Sequence, residues 1–314
     1  MQELTTTRHN ELLEPFLNAW NWQIPVYLFL GGMVAGMMII AGYSLLSGKY
    51  KDQNCSCFLL PIISVIVLSL GMLALFLDLE HKLYVWRLYT TFKITAPMSW
   101  GAWILLVVYP ALIANILINP PVWLINVLPK MDLLSIKLQA SDRSIKRIGI
   151  VNILLGILLG TYTGVLLSTL GARPLWNSSV LWLLFLVSGL SSASALVHMI
   201  TKDGKEKEVL TKIDSGLLVF EIFVIIMMLL GLLSSSNAHI EAAKLILSGP
   251  FAATFWVFVI GIGIIIPLIL QVLAVQEKIK HSVIPALMVI LGGLILRFVL
   301  VYAGQYSHYF NAHF

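Results

Sequence analysis

Long apolar runs and short polar interruptions alternate along the whole chain. Eight runs stand out, at roughly 24–46, 58–77, 99–119, 148–170, 179–200, 215–235, 250–273 and 283–303. Each holds about 20 residues, enough to carry a helix across a hydrocarbon layer of about 30 Å. Strands are excluded there, because an open strand in lipid leaves its backbone N–H and C=O groups unpaired. The pattern predicts an all-α, polytopic membrane helix bundle with eight transmembrane helices, forming a single integral membrane domain over residues 1–314. Hydropathy allows two four-helix bundles, although no internal sequence repeat relates the halves. Residues 1–22 are mostly polar and end in Asn18, Trp20, Asn21 and Trp22. No basic stretch or small-residue cleavage site precedes the first run, so no removable signal peptide is expected.

Composition agrees with a membrane protein. Of 314 residues 59% are hydrophobic and 11% charged, with a mean hydropathy of +0.92; a soluble domain carries about 25% charged residues. The net charge of +5 is small and unevenly placed, so it bears on topology and not on nucleic acid. Arg8, Lys82, Arg87, Lys93, Arg173 and Lys244 fall on one side of the alternating spans. The other side receives Lys49, Lys51, Lys130, Lys137, Arg143, Lys146, Arg147, Lys202, Lys205, Lys207, Lys212, Lys278 and Lys280, while Arg297 lies within a span. The positive-inside rule then puts both termini outside a cytoplasmic membrane. On the inner side, the connector Pro120–Arg147 interleaves Trp123, Ile125, Leu133, Leu134 and Ile136 with Lys130, Lys137 and Arg143. It reads as an amphipathic segment lying on membrane lipids. Cys55 and Cys57 face the same way, where thiols stay reduced, and two thiolates are too few for an iron–sulfur cluster.

The outward segment Asp78–Met98 changes the picture. It packs Asp78, Glu80, His81, Lys82, Arg87 and Lys93 among Tyr84, Trp86, Tyr89 and Phe92, with Trp100 and Trp103 just beyond. Charge mixed with Trp and Tyr between two spans makes a shelf at headgroup level. It suits a quinone headgroup, polar at one end and apolar at the other, and it equally suits a docked protein held by Trp86, Arg87, Lys93 and Trp100. Quinone chemistry needs a hydrogen-bond donor for a carbonyl oxygen and a group that moves a proton. Asn18, Asn21, Asp78, His81 and Tyr84 supply such groups on this face. Ionisable residues at membrane depth are costly and usually functional. Asp78 ends the second span, and Arg297 lies at similar depth in the last, so the two are expected to pair. Glu221 sits in the sixth span, with His198 the nearest titratable group in depth; each is also readable as a simple polar anchor. Small residues such as Gly31, Gly32, Ala35 and Gly36, Gly156, Gly160 and Gly164, and Gly292 and Gly293 predict close helix packing.

The shelf reads DL-x6-WRL-x-T-x5-APMSWGAW from Asp78 to Trp103. Further ordered motifs run from Trp22 to Gly32, from Gly160 to Ser168, from Ala172 to Trp176, and from Leu296-Arg297 to Ala303-Gly304-Gln305. Together they resemble the NrfD/PsrC family, the membrane subunits of polysulfide reductase and related quinone-linked complexes. The resemblance implies a quinone pocket lined by the outer end of the first span and a tyrosine, here Tyr162, about two turns below the outer end of the fourth. At the first span the matching polar position falls on Asn18 or Asn21, with Trp22 where some members carry a histidine. It also implies menaquinone or another quinone as bound substrate and no metal or covalent cofactor in this protein. Electrons would be exchanged, in either direction, with a ferredoxin-like [4Fe–4S] subunit on the periplasmic side and a molybdopterin catalytic subunit beyond it. Hydropathy and Glu221 alone also fit a secondary transporter, but no paired broken spans mark the two halves, Pro267 interrupting only one. A passive anchor that recruits a partner without redox work is the third reading.

Overall fold

The computed structural model describes residues 20–49, 59–127, 130–139, 141–279 and 282–309. Asn18, Cys55 and Cys57 lie outside these residues. Among the described residues, eight helices are long and apolar enough to cross a membrane: α1 (Gln23–Ser47), α2 (Leu60–Asp78), α4 (Pro97–Ile118), α7 (Asp142–Ser168), α8 (Leu181–Ile200), α9 (Gly204–Leu233), a π-helix (Thr254–Ile265) running into α11 (Ile266–Val275), and α12 (Ile284–Tyr306). Between them lie α3 (Trp86–Thr90), α5 (Val122–Val127), α6 (Lys130–Gln139) and α10 (Asn237–Leu247). Among the described residues there is no strand.

The apolar runs and the helices coincide except at two starts. α7 begins at Asp142, where the Ser141 side chain accepts from the Ser144 N–H, and α9 begins at Gly204, where Asp203 accepts from the Lys205 N–H. These capped polar turns extend the helices beyond the apolar segment, and hydropathy does not register them. The π-helix ends at Ile265, just before Pro267 in the first turn of α11, which has no N–H to give and whose ring would meet a carbonyl of an α-register turn before it. The wider turn, in which the Ile266 N–H reaches the Gly261 carbonyl, accommodates it.

α1, α2, α4 and α7 pack together around Met37, Met38, Leu68, Leu112 and Leu159. α8, α9, the π-helix with α11, and α12 pack together around Phe185, Met228, Phe255 and Leu296. α1 and α8 join the two groups by direct backbone approach. A Cβ on Gly189 would lie 2.5 Å from the Gly32 carbonyl oxygen, and one on Gly36 2.5 Å from the Ala193 Cβ. Small residues were expected to allow this. The outward-facing Ile66, Leu70 and Leu73 of α2, all more than half exposed, are the kind of surface that lipid covers.

Alternate spans run in opposite directions, so the start of α1 and the ends of α2, α7 and α12 share one face with the shelf. On that face the two ends of the bundle are clasped. The Trp20 N–H donates to Gln305 Oε1 at 3.1 Å and Gln305 Nε2 donates back to the Trp20 carbonyl at 2.9 Å. Trp20 stacks on Trp176 at 5.1 Å, and Trp176 Nε1 donates to the Leu300 carbonyl at 2.8 Å. Arg173 is buried and donates to the Ser307 carbonyl; burial lowers its pKa. Gly304 is required here, because a Cβ would overlap the Trp176 indole. On the opposite face, Ser135 and Gln139 of α6 both donate to the Ile118 carbonyl that ends α4. This turns Leu133, Leu134 and Ile136 outward, where they are exposed.

Candidate functional site

The segment between α2 and α4 folds as a 3-10 turn, Lys82–Tyr84, followed by α3 and an extended loop. Its geometry comes from the motif that starts α4. Pro97 occupies the first turn, and Ala96 before it is extended, as the residue preceding a proline prefers. Ser99 then accepts from the Lys93 N–H at 3.0 Å and donates to the Thr91 carbonyl at 3.1 Å. Trp100 Nε1 donates to the Ile94 carbonyl at 2.7 Å, and Trp103 meets Phe92 edge-on. The serine and both tryptophans therefore pin the loop from below.

Above this floor opens a cavity of about 600 Å³, lined by Asp78, Glu80, His81, Tyr84, Arg87 and Ser99 among others. Arg87 lies over the Tyr84 ring at 4.6 Å and the Trp86 ring at 5.6 Å, and His81 meets Tyr84 edge-on. Leu83, Tyr84, Trp86, Phe92 and Ile94 are each more than half exposed around the rim. The structure thus brings Asp78, His81, Tyr84 and Arg87 together. Asn21 and Trp22 are exposed at the start of α1 and do not line this cavity. Lys93 is exposed on the loop, and Trp100, partly exposed, spends its indole N–H on Ile94.

Two residues beyond Ser99, Gly101 faces the ring of Tyr162, so closely that a Cβ would overlap both ring and hydroxyl. Tyr162 is buried, as is Tyr27 of α1, and Tyr89 of α3 lies near Tyr27. The Tyr162 hydroxyl has no hydrogen-bond partner among the described residues. Tyr89, half-buried above, has its pKa raised by burial and then by Tyr109, whose hydroxyl shares a 3.2 Å hydrogen bond with Ser69. Tyr27, Tyr109 and Tyr162, from α1, α4 and α7, therefore lie below the shelf, and Tyr89 belongs to the shelf itself. A phenol fixed by its ring with its hydroxyl unspent can donate one hydrogen bond to an oxygen of a bound molecule.

The expected pairing of Asp78 with Arg297 does not occur. Asp78 lines the shelf cavity. Arg297 is fully buried on the far side of α1, donating to Ser188 Oγ and to the carbonyls of Phe185 and Gly293, with its guanidinium 4.9 Å from the Phe185 ring. Its charged counterpart is Glu221 of α9, which lies near the same Ser188 and attracts Arg297 electrostatically. Similar depth does not bring two residues together when their helices belong to different halves of the bundle. His198 lies beside Asp214, not Glu221, on the wall of a separate cavity. Asp214 went unrecognised because it precedes the apolar run as read from residue 215. Its spacing of seven residues from Glu221, two helical turns, is the signal that marks both as lying on one face. Among the described residues no three of His, Cys, Asp and Glu converge to hold a metal ion.

Fold and site together define a multi-pass helical membrane protein with an aromatic, charged platform on one face. Residues 9–308 match the family described as "Polysulphide reductase, NrfD". The protein belongs to this family, membrane subunits of respiratory oxidoreductase complexes. It is 30% identical to the C subunit of polysulfide reductase from Wolinella succinogenes, over 91% of the present sequence and 94% of that protein. Protein NrfD of Escherichia coli is also 30% identical, over 91% and 95%, and an NrfD homolog of Haemophilus influenzae 29%, over 91% and 94%.

Proposed function

We propose that this protein is the quinone-reactive subunit of its complex, exchanging two electrons and two protons per molecule with menaquinone or another quinone beneath the shelf. The observation that carries the reading is the Tyr162 hydroxyl, set against Gly101 under the shelf and without a partner among the described residues. In this reading Tyr162 donates to one carbonyl oxygen of the quinone, and Tyr27 closes the apolar pocket. Asp78 and His81, at the mouth, pass the protons between the ring oxygens and water. Asn21, Trp22 and Tyr84 border the approach, a role that Asn18 would share. The exposed rim of Trp86, Arg87 and Lys93 docks a ferredoxin-like [4Fe–4S] subunit, which connects to a molybdopterin catalytic subunit. Six basic residues on the shelf side against thirteen opposite support a shelf facing the periplasm, with both termini outside the cytoplasmic membrane.

Tyr162→Phe tests this, since it removes one hydroxyl and keeps the ring. The complex should assemble and keep its activity with a soluble electron donor or acceptor, while quinone-linked turnover falls by about tenfold or more, the worth of one hydrogen bond made at the reacting oxygen. Unchanged quinone-linked turnover would remove Tyr162 from the site.

A further inference from the structure

The face of α7 turned away from the bundle changes character along its length. Its first two turns, on the side of the membrane opposite the shelf, carry Arg143, Lys146 and Arg147, all exposed. Ile150, Val151, Leu154, Ile157 and Leu158 follow and are exposed as well. At about 3.6 residues per turn all of these fall on one side of the helix. Gly149, Asn152 and Gly156 fall on the other side, where they are buried against α1 and α4. From Ile150 to Leu158 the apolar stripe rises about 12 Å, close to half of a hydrocarbon layer of about 30 Å. α6 packs on both α4 and α7. With Ser135 and Gln139 spent on the Ile118 carbonyl, its outward face presents Leu133, Leu134, Ile136 and Lys137.

Basic residues at the end of a span ordinarily do no more than set its orientation. Three observations separate α7 from that ordinary case. Its cations are gathered on one face within five positions, not scattered through a loop. They are also unneutralised: among the described residues Lys137, Arg143, Lys146 and Arg147 form no ion pair, and only Asp132 and Asp142 lie near them in sequence. The polar start of α9 differs, since Lys212 there is paired with Glu208 at 2.7 Å and Lys205 and Lys207 alternate with Glu206 and Glu208. Finally, the cations stand directly at the end of an exposed apolar stripe one leaflet deep. Guanidinium groups fit phosphate oxygens in pairs, and the long stems of Arg and Lys reach headgroup level while their carbons stay on apolar surface. A free phosphate would meet the cations and leave the stripe unused. A molecule with a phosphate at headgroup level and a hydrocarbon chain below it uses both.

We propose that the outward face of α7 is a binding site for an anionic phospholipid of the leaflet opposite the shelf. Arg143, Lys146 and Arg147 hold the headgroup phosphate, and one acyl chain lies along Ile150, Leu154 and Leu158. Lys137 adds positive charge from α6. Each basic side chain near an anionic headgroup favours it about fivefold, so three give a preference of about a hundredfold over a zwitterionic lipid at low salt. Screening lowers that figure as ionic strength rises.

The test places the intact complex in nanodiscs of phosphatidylcholine containing a small share of a photoactivatable lipid with a diazirine in its acyl chain. The probe is phosphatidylglycerol in one preparation and phosphatidylcholine in the other. Labelling is read by mass spectrometry on α7 at Ile150–Leu158 and, for comparison, on α9 at Val219, Phe220 and Phe223, which are exposed but lack a free basic cluster. At about 0.05 M salt the phosphatidylglycerol probe should label the α7 stripe at least about tenfold more than the phosphatidylcholine probe, and the ratio should fall at about 0.5 M. On α9 the two probes should agree to within about twofold, because the cations there are paired. Equal labelling of α7 by both probes overturns the site. So does an equal preference on α9, which would reflect general surface charge. An α7 stripe labelled by neither probe overturns it too, since a protein or a second copy would then cover the face. Arg143→Gln, Lys146→Gln and Arg147→Gln made together should reduce phosphatidylglycerol labelling to the phosphatidylcholine level and leave the latter unchanged. A preference that survives these substitutions would exclude the three residues as the headgroup site. Ten basic residues remain on that side against six on the other, so the orientation should be kept. The wild-type comparison decides without any substitution. Labelling needs no quinone, so its outcome is independent of the shelf reading.

Discussion

Replacing Glu221 by Gln leaves Arg297 buried with its hydrogen bonds to Phe185, Gly293 and Ser188 but without its counter-charge. The two charges attract without a direct ion pair, which corresponds to a separation on the order of 5 Å. At an effective dielectric of about 20, unit charges at that distance attract by about 3 kcal/mol. Glu221→Gln should therefore cost about 3 kcal/mol, somewhat below the loss of a direct partner, and Arg297→Gln about 3–5 kcal/mol because it also abandons two carbonyls. With both changed no charge is left uncompensated, so the double variant should recover about 2–3 kcal/mol of the summed loss. The assay is the midpoint of thermal unfolding of the purified complex in mild detergent, for the wild type, both singles and the double. Losses that add to within about 0.5 kcal/mol would show that the two residues do not act on each other. The same cycle run with Asp78→Asn in place of Glu221→Gln should be additive.

Gly101→Ala drives a methyl group into the Tyr162 ring, and overpacking of this kind costs about 1–3 kcal/mol; quinone-linked turnover should fall while the soluble-donor activity of the complex persists, and equal loss of both would point to general misfolding. Gly304→Ala meets the Trp176 indole in the same way and should lower the unfolding midpoint with little effect on turnover per folded complex. Trp100→Phe keeps a ring but gives up the 2.7 Å hydrogen bond to Ile94, worth about 0.5–1.5 kcal/mol; trypsin should then cut after Lys93 faster than in the wild type, and an unchanged rate would mean the loop is held by other contacts. Arg297→Lys should be nearly as damaging as Arg297→Gln in the thermal assay, because an ammonium lacks the planar fork that reaches Ser188, Phe185 and Gly293 together.

The eight spans were legible because lipid imposes one requirement, about 20 apolar residues in helix, on every crossing. The shelf was legible for a similar reason, since Asp78, His81, Tyr84 and Arg87 are close in sequence and a short segment must keep them close in space. The motif around Ser99, Trp100 and Gly101 was visible as a string, but its work was not. That Ser99 and Trp100 hold the loop and Gly101 makes room for Tyr162 depends on which way α4 faces, and hydropathy does not encode that angle. The same blindness explains Arg297. Depth along the membrane normal could be counted from the sequence and suggested Asp78, whereas azimuth decides the contact and selects Ser188 and Glu221. Asp214 was hidden at a boundary, because α9 continues for eleven residues before the apolar run as read. Asn18, the other candidate at the first span, falls outside the described residues.

The clasp between Trp20 and Gln305 spans 285 residues of sequence. A ribosome adding about 5–20 residues per second delivers Gln305 roughly 15–60 s after Trp20. α1 is the most enclosed of the spans, yet α8 and α12, two of the four long helices it touches, are made late. During that interval its face toward them, with Gly32 and Gly36, has only lipid or the insertion machinery for company. Final closure of the bundle is therefore an event of late synthesis. A ribosome that stalls before Gln305 would leave a polypeptide whose first helix has crossed the membrane but is not yet locked into the protein.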